Sequence, residues 1–139
     1  MGQQARVLVV DDSIVVRQVL ILTLRQLPEF VYAVIEEAGN GAIALKKLEG
    51  VRYDLILSDI RMPYMDGLEF VRRVRQDMKD RATPILLIST LGTEVDVQRG
   101  LEAGADAYLL KPISPHHIKA ALREFLDRRS RNGLRNGAV

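Results

Sequence analysis

Short runs of apolar residues alternate along this chain with longer stretches whose apolar positions recur at helical spacing. VLVV (7–10), YAVIEEA (32–38), LILSD (55–59), ILLIS (85–89) and AYLL (107–110) read as strands. Several are apolar throughout, as expected of a parallel sheet with helices on both faces. Helices are predicted between and after them, at about 13–27, 41–49, 67–78, 94–103 and 115–129. In the last, Ile118, Ala121, Leu122, Phe125 and Leu126 share one buried face. Gly100 interrupts the fourth, which has few apolar residues. Ser13 is placed to cap the first helix and Pro28 to close it, Gly104 follows the fourth, and Pro115 can open the fifth. Strands and helices in this alternation make a doubly wound α/β fold with right-handed crossovers. Ile14–Leu24 carries more apolar residues than one helix face needs. Crowding by neighbouring helices accounts for that most simply, and a partner surface is the alternative.

At 139 residues the chain has the length of one domain. Its apolar share of 47% is enough for a core, and a charged share of 27% is ordinary for a globular protein. The absence of cysteine excludes disulfides, thiolate metal sites and thiol catalysis. The net charge is +2, and the excess lies at the end. From Arg123 onward five arginines face two acids, +3, which leaves −1 on residues 1–122. No basic face is expected on the body, so no direct nucleic-acid binding. The apolar run after MGQQAR is too short for a signal peptide or a membrane span, so a cytoplasmic protein without membrane contact is expected. Residues 1–129 read as the domain, and the polar 130–139 (SRNGLRNGAV) as a flexible tail or linker remnant, too short for a helix-turn-helix.

In open α/β sheets, ligands bind beyond the carboxyl ends of the strands. The first strand ends in Asp11 and Asp12, the third in Asp59, the fourth in Ser89 and Thr90, and the fifth in Lys111 followed by Pro112. Three carboxylates on one rim repel one another or hold protons. A hard divalent cation removes that conflict, and Mg²⁺ favours one or two carboxylates with waters and phosphate oxygens. Lys111 supplies a positive charge for phosphate oxygens. Aspartate is also a nucleophile in aspartyl-phosphate chemistry. Asp59, on a central strand between the acidic pair and the lysine, is the candidate acceptor.

The blocks VLVVDDS, LILSDIRMPYMDG, PILLIST and GADAYLLKP, in this order and spacing, resemble the response regulator receiver domains of bacterial two-component signalling, including the single-domain chemotaxis type. The likeness spans about residues 5–127. It implies a flavodoxin-like (βα)5 fold with five parallel strands in the order 2-1-3-4-5. It implies that a histidine kinase or phosphotransfer protein phosphorylates Asp59. Asp12, Asp11, Asp59 and the backbone carbonyl of Arg61 would hold Mg²⁺ or Mn²⁺, and Lys111 and Ser89 would bind the phosphoryl group. The Lys111–Pro112 peptide would be cis. Ser89 would draw its loop inward and Tyr108 would turn from exposed to buried. The surface of helix four, strand five and helix five would then change for a downstream protein target. The resemblance implies a signalling phosphoacceptor rather than an enzyme, acting as a monomer or weak dimer. Arg61 and Thr90 depart from the commoner family residues beside the acceptor, and the acyl-phosphate lifetime is expected to respond to them.

Other readings are weaker. A receiver cut from a longer regulator is the nearest. A metal-dependent phosphatase with an aspartyl intermediate would commonly show Asp-x-Asp after the first strand, where this chain has Asp-Asp-Ser. Gly39-Asn40-Gly41-Ala42-Ile43-Ala44 imitates a dinucleotide-binding turn. Glu36 and Glu37 would repel a pyrophosphate there, so a plain turn and helix start is expected. His116 and His117 are adjacent, point to different helix faces and read as surface residues. Met62-Pro63 and Met65-Asp66-Gly67 read as a turn that holds the loop after Asp59 in one geometry.

Overall fold

The computed structural model describes residues 4–124. The predicted end of the fifth helix, with Phe125 and Leu126, and the predicted tail 130–139 lie outside the described residues. The elements are β1 (Arg6–Val10), α1 (Ile14–Arg25), a 3-10 turn (Pro28–Phe30), β2 (Val34–Ala38), α2 (Gly41–Leu48), β3 (Leu55–Asp59), α3 (Gly67–Gln76), β4 (Ile85–Ser89), α4 (Glu94–Ala103) and β5 (Ala107–Leu110). Residues 115–124 form a further helix, α5. All strand pairs are parallel and the sheet order is β2-β1-β3-β4-β5.

The alternation of side chains along a strand divides the core into two layers. Leu8, Val10, Ile56, Ile85 and Leu87 pack with Phe70, Val71 and Val74 of α3 and Ala44 and Leu48 of α2. Val7, Val9, Leu55, Leu57, Leu86 and Ile88 pack on the opposite face with Leu20 and Leu24 of α1 and Ile118 of α5. β3 and β4 are buried at every position because helices cover both sides. Each fully buried Val, Leu or Ile contributes about 1.5–3 kcal/mol relative to exposure, which makes the central strands the stiff part of the molecule. No helix among the described residues is long and apolar enough to cross a membrane.

Ser13 caps α1, accepting from the Val16 amide, and Gly104 closes α4 in the left-handed conformation. Four expectations need correction. Pro28 does not close α1; the helix ends at Arg25, and Pro28 opens the 3-10 turn that follows. β2 starts at Val34 rather than at residue 32, because Tyr32 and Ala33 belong to the turn out of that segment. Gly100 does not interrupt α4, which is continuous and capped by a reciprocal Thr93–Asp96 pair. The apolar excess of α1 is not covered by neighbouring helices among the described residues: Ile14, Val15, Val19 and Leu22 are all exposed.

Candidate functional site

Parallel pairing brings the carboxyl ends of the strands level, with Val10 opposite Ser58, Asp59 opposite Ile88, and Ser89 opposite Leu110. Residues just beyond these ends therefore share one rim. Asp11 is buried, and its Oδ1 accepts from the Ser13 amide at 2.9 Å. Lys111 Nζ lies 3.3 Å from Asp11 Oδ2 and 3.4 Å from Asp59 Oδ2, bridging the two. The Ile60 amide donates to Asp59 Oδ1 at 2.8 Å. Asp12 is exposed at the mouth. Asp11, Asp12 and Asp59 each offer an oxygen within 4.8 Å of the others. The Lys111–Pro112 peptide is cis.

Burial holds the Asp59 carboxyl above the ordinary carboxylate range, and the nearby Asp11 charge adds to this; Lys111 and the Ile60 amide offset only part of it. An acid whose charge is disfavoured, in the company of two others, is a donor set that a hard cation would relieve. These residues fit a divalent ion such as Mg²⁺.

The loop after β3 frames Asp59. Asp66 caps α3 by accepting from the Glu69 amide at 2.8 Å. The Gly67 amide donates to the Ile60 carbonyl at 2.8 Å, and a methyl group at Gly67 would lie 2.2 Å from the Asp59 carbonyl oxygen. Arg61 is exposed and lines, with Asp12, Met62, Pro63 and Leu91, an open cleft of about 520 Å³. The Met62–Gly67 segment is the turn expected before a helix.

On the other side Ser89 is buried, and its Oγ accepts from the Leu91 amide at 3.0 Å, which leaves a hydroxyl proton to donate. Thr90 is exposed and, with Val15, Val19, Lys111 and Ile113, lines an apolar groove of about 390 Å³ along α1. Tyr108 is half-buried: its hydroxyl donates to the Leu91 carbonyl at 2.5 Å and its ring lies over Gly100. The glycine makes room for the ring.

His116 and His117 are both exposed. Asn40 caps α2 with its own side chain, accepting from the Ile43 amide at 2.8 Å, and Gly41 is packed against Met65 and Phe70. The 39–44 segment is thus a turn and helix start with its end already closed. Sequence reasoning missed Arg17, which reaches both Glu37 and the Asp11 carbonyl. Its signal was its place four residues after Ser13, one helical turn beyond the cap.

Among families of known proteins, the response regulator receiver domain matches residues 7–123. Transcriptional regulatory protein ResD of Bacillus subtilis (strain 168) is 38% identical over 133 residues, covering 96% of this chain and 52% of ResD. Chemotaxis protein CheY1 of Helicobacter pylori (strain ATCC 700392 / 26695) is 35% identical over 122 residues, covering 87% of this chain and 96% of that protein. The solved chemotaxis response regulator CheY4 of Vibrio cholerae superposes with a TM-score of 0.73 at 38% identity, covering 91% of this chain and 98% of the other. The chain spans about half or less of the length of several curated relatives it matches.

Proposed function

Because the chain belongs to the response regulator receiver domain family, in which phosphorylation-dependent switching is general, we propose that it is a signalling switch whose acceptor is Asp59. The observation that carries this reading is the placing of Lys111 Nζ between two acids, 3.3 Å from Asp11 and 3.4 Å from Asp59. An ammonium there meets the phosphoryl oxygens once Asp59 carries the group. In the transfer, an Asp59 carboxylate oxygen bonds to phosphorus while the bond from phosphorus to the donor histidine nitrogen breaks and the imidazole leaves. Such a loose transition state needs in-line positioning and charge stabilisation more than covalent help. The Ile60 amide orients the carboxylate, and the Ser89 hydroxyl donates a hydrogen bond to a phosphoryl oxygen.

Receiver domains bind Mg²⁺ at an acidic pocket, and Asp11, Asp12 and Asp59 fit that role here. The Arg61 backbone carbonyl completes our proposed ligand set. When bound, Mg²⁺ or Mn²⁺ supplies the positive charge that screens the carboxylates from an incoming phosphoryl group. A histidine kinase or phosphotransfer protein is the proposed donor, approaching over the exposed Ile14, Val15, Val19 and Leu22 of α1. The proposed output is the α4–β5–α5 surface, altered through Ser89 and Tyr108 and read by a protein target. We take residues 1–129 as the receiver and 130–139 as a tail or linker.

Intact mass after incubation with acetyl phosphate and Mg²⁺ tests the reading. The native chain is expected to gain one phosphoryl group and Asp59→Asn none; a gain in both proteins overturns the acceptor assignment. The partial coverage of longer relatives such as ResD supports a second reading, in which this switch is one module of a larger regulator. The full reading frame of the source gene separates the two.

A further inference from the structure

The acidic cluster is braced from behind by residues that touch neither the acceptor nor Lys111. Arg17, in α1, has a side chain only 14% exposed. Its Nη1 donates to the Asp11 backbone carbonyl at 2.6 Å, and its Nε donates to Glu37 Oε1 at 2.9 Å. Glu37 is pinned in turn: Gln18 Nε2 donates to the same Oε1 at 3.2 Å, and Lys47 Nζ donates to the Glu37 carbonyl at 2.5 Å. The Asp11 amide donates to the Ala38 carbonyl at 3.1 Å. The peptide joining Asp11 to Asp12 is therefore gripped by α1 and referred, through Glu37, to β2. A guanidinium forks between two acceptors in a way an ammonium does not.

We propose that Arg17, clamped by Glu37, is a positioning residue that fixes the peptide from which the Asp11 and Asp12 carboxylates project, and so sets the affinity of the cluster for a divalent cation. This rests on the reading of the cluster as a Mg²⁺ site. The role has a sign that separates it from simple electrostatics. Arg17 is a positive charge near a cation site, so Coulomb repulsion alone makes its removal strengthen Mg²⁺ binding. Positioning makes removal weaken it, since groups that orient metal ligands typically contribute about 10- to 100-fold in affinity.

Calorimetric titration of the full chain with Mg²⁺ decides this, with amide hydrogen exchange at Asp12 and Ser13 as a second readout. Arg17→Ala is expected to bind Mg²⁺ about tenfold more weakly and to exchange faster at both amides. Arg17→Lys keeps the charge and the fold, and is expected to bind more weakly than the native chain because one ammonium cannot hold both acceptors. Native-like or tighter binding in Arg17→Ala overturns the proposal, as does native-like binding in Arg17→Lys if the alanine variant does not fold. A native chain that binds no Mg²⁺ fails the cation-site reading itself, and this inference with it.

Discussion

A methyl group added at Gly67 or at Gly100 would meet a neighbour closer than 3.0 Å, but what approaches the two glycines differs. A methyl group at Gly67 would meet the Asp59 carbonyl oxygen at 2.2 Å and the Ile60 Cα at 2.9 Å. One at Gly100 would meet the Tyr108 ring at 2.8 Å and the Leu87 side chain at 3.0 Å. The first obstacle is the backbone at the end of β3, a strand buried at every position, which has nowhere to go. The second is a pair of side-chain tips on the α4–β5 side of the fold, the Tyr108 ring and the end of Leu87, which can shift as backbone cannot. There α4 buries only Gly100 and Ala103, and β5 has no fully buried residue. The proposed acceptor is thus placed by packed backbone, while the proposed output surface is held by a few side-chain contacts. Elements that move are drawn from the weakly packed end of a structure, so the proposed chemistry and the proposed motion fall on different material. Lys111, at the end of β5 but paired with acids of β1 and β3, joins the two.

The matched substitutions test this contrast. Gly67→Ala is expected to cost about 3 kcal/mol, the upper end for overpacking, and to slow phosphoryl uptake by more than about 100-fold (roughly 2.7 kcal/mol of barrier). Urea denaturation and the rate of mass gain with acetyl phosphate measure the two effects. Uptake within tenfold of the native rate would mean that the β3 end can recede, and the contrast fails. Gly100→Ala is expected to change stability by no more than about 1 kcal/mol, because alanine favours the helix by a similar amount while the ring is displaced. Its effect should appear at Tyr108, whose ring contacts with Leu87 weaken in NMR spectra as it swings outward. An unmoved ring with a large loss of stability would make the output side as stiff as the acceptor side.

The rim was legible because buried parallel strands are uninterrupted apolar runs, so the polar residue that ends each run is conspicuous. Asp11, Asp12, Asp59, Ser89 and Lys111 were all found that way, and strand register then brought them level. What depends on packing between distant segments was not legible. The apolar excess of α1 was visible, but a pattern counts apolar residues without saying what covers them, and Val15 stays 72% exposed. Arg17 was visible as a residue, but its partner Glu37 lies on β2, and the two meet only through the β1–β2 register that sets Val9 opposite Glu37. The placing of the Tyr108 ring likewise needs Gly100 on a neighbouring helix. Pro28 misled because proline is equally at home ending one element and opening the next.

The acceptor side also makes a pH-dependent prediction. The folded Asp59 carboxyl titrates above its unfolded value, chiefly through burial, so the folded state holds the proton more tightly than the unfolded state does. Stability then falls as pH rises from the ordinary carboxylate range through the folded value, and the full penalty is present above it. Asp59→Asn removes the penalty. Without added metal, it is expected to melt a few degrees higher than the native chain at neutral pH, with the gain shrinking as pH falls through the carboxylate range. A variant that melts lower at neutral pH would show that the Lys111 pairing outweighs burial.

The smallest expected effects come from the two residues that flank the acceptor from opposite sides of the contrast. Arg61 follows β3 and lines the cleft beside Asp12, whereas Thr90 follows β4 and lines the groove along α1. In the proposed reading, both border the path by which water reaches a phosphoryl group on Asp59. Arg61→Asn changes charge and reach in that space, and Thr90→Ala removes a hydroxyl and opens it. Each is expected to change the dephosphorylation rate by more than about twofold, roughly 0.4 kcal/mol of barrier, as followed by loss of the phosphorylated mass after removal of acetyl phosphate. If only Arg61→Asn passes that threshold, water access is governed from the stiff side alone. If neither does, the acyl-phosphate lifetime is set by Lys111 and the carboxylates without help from the rim.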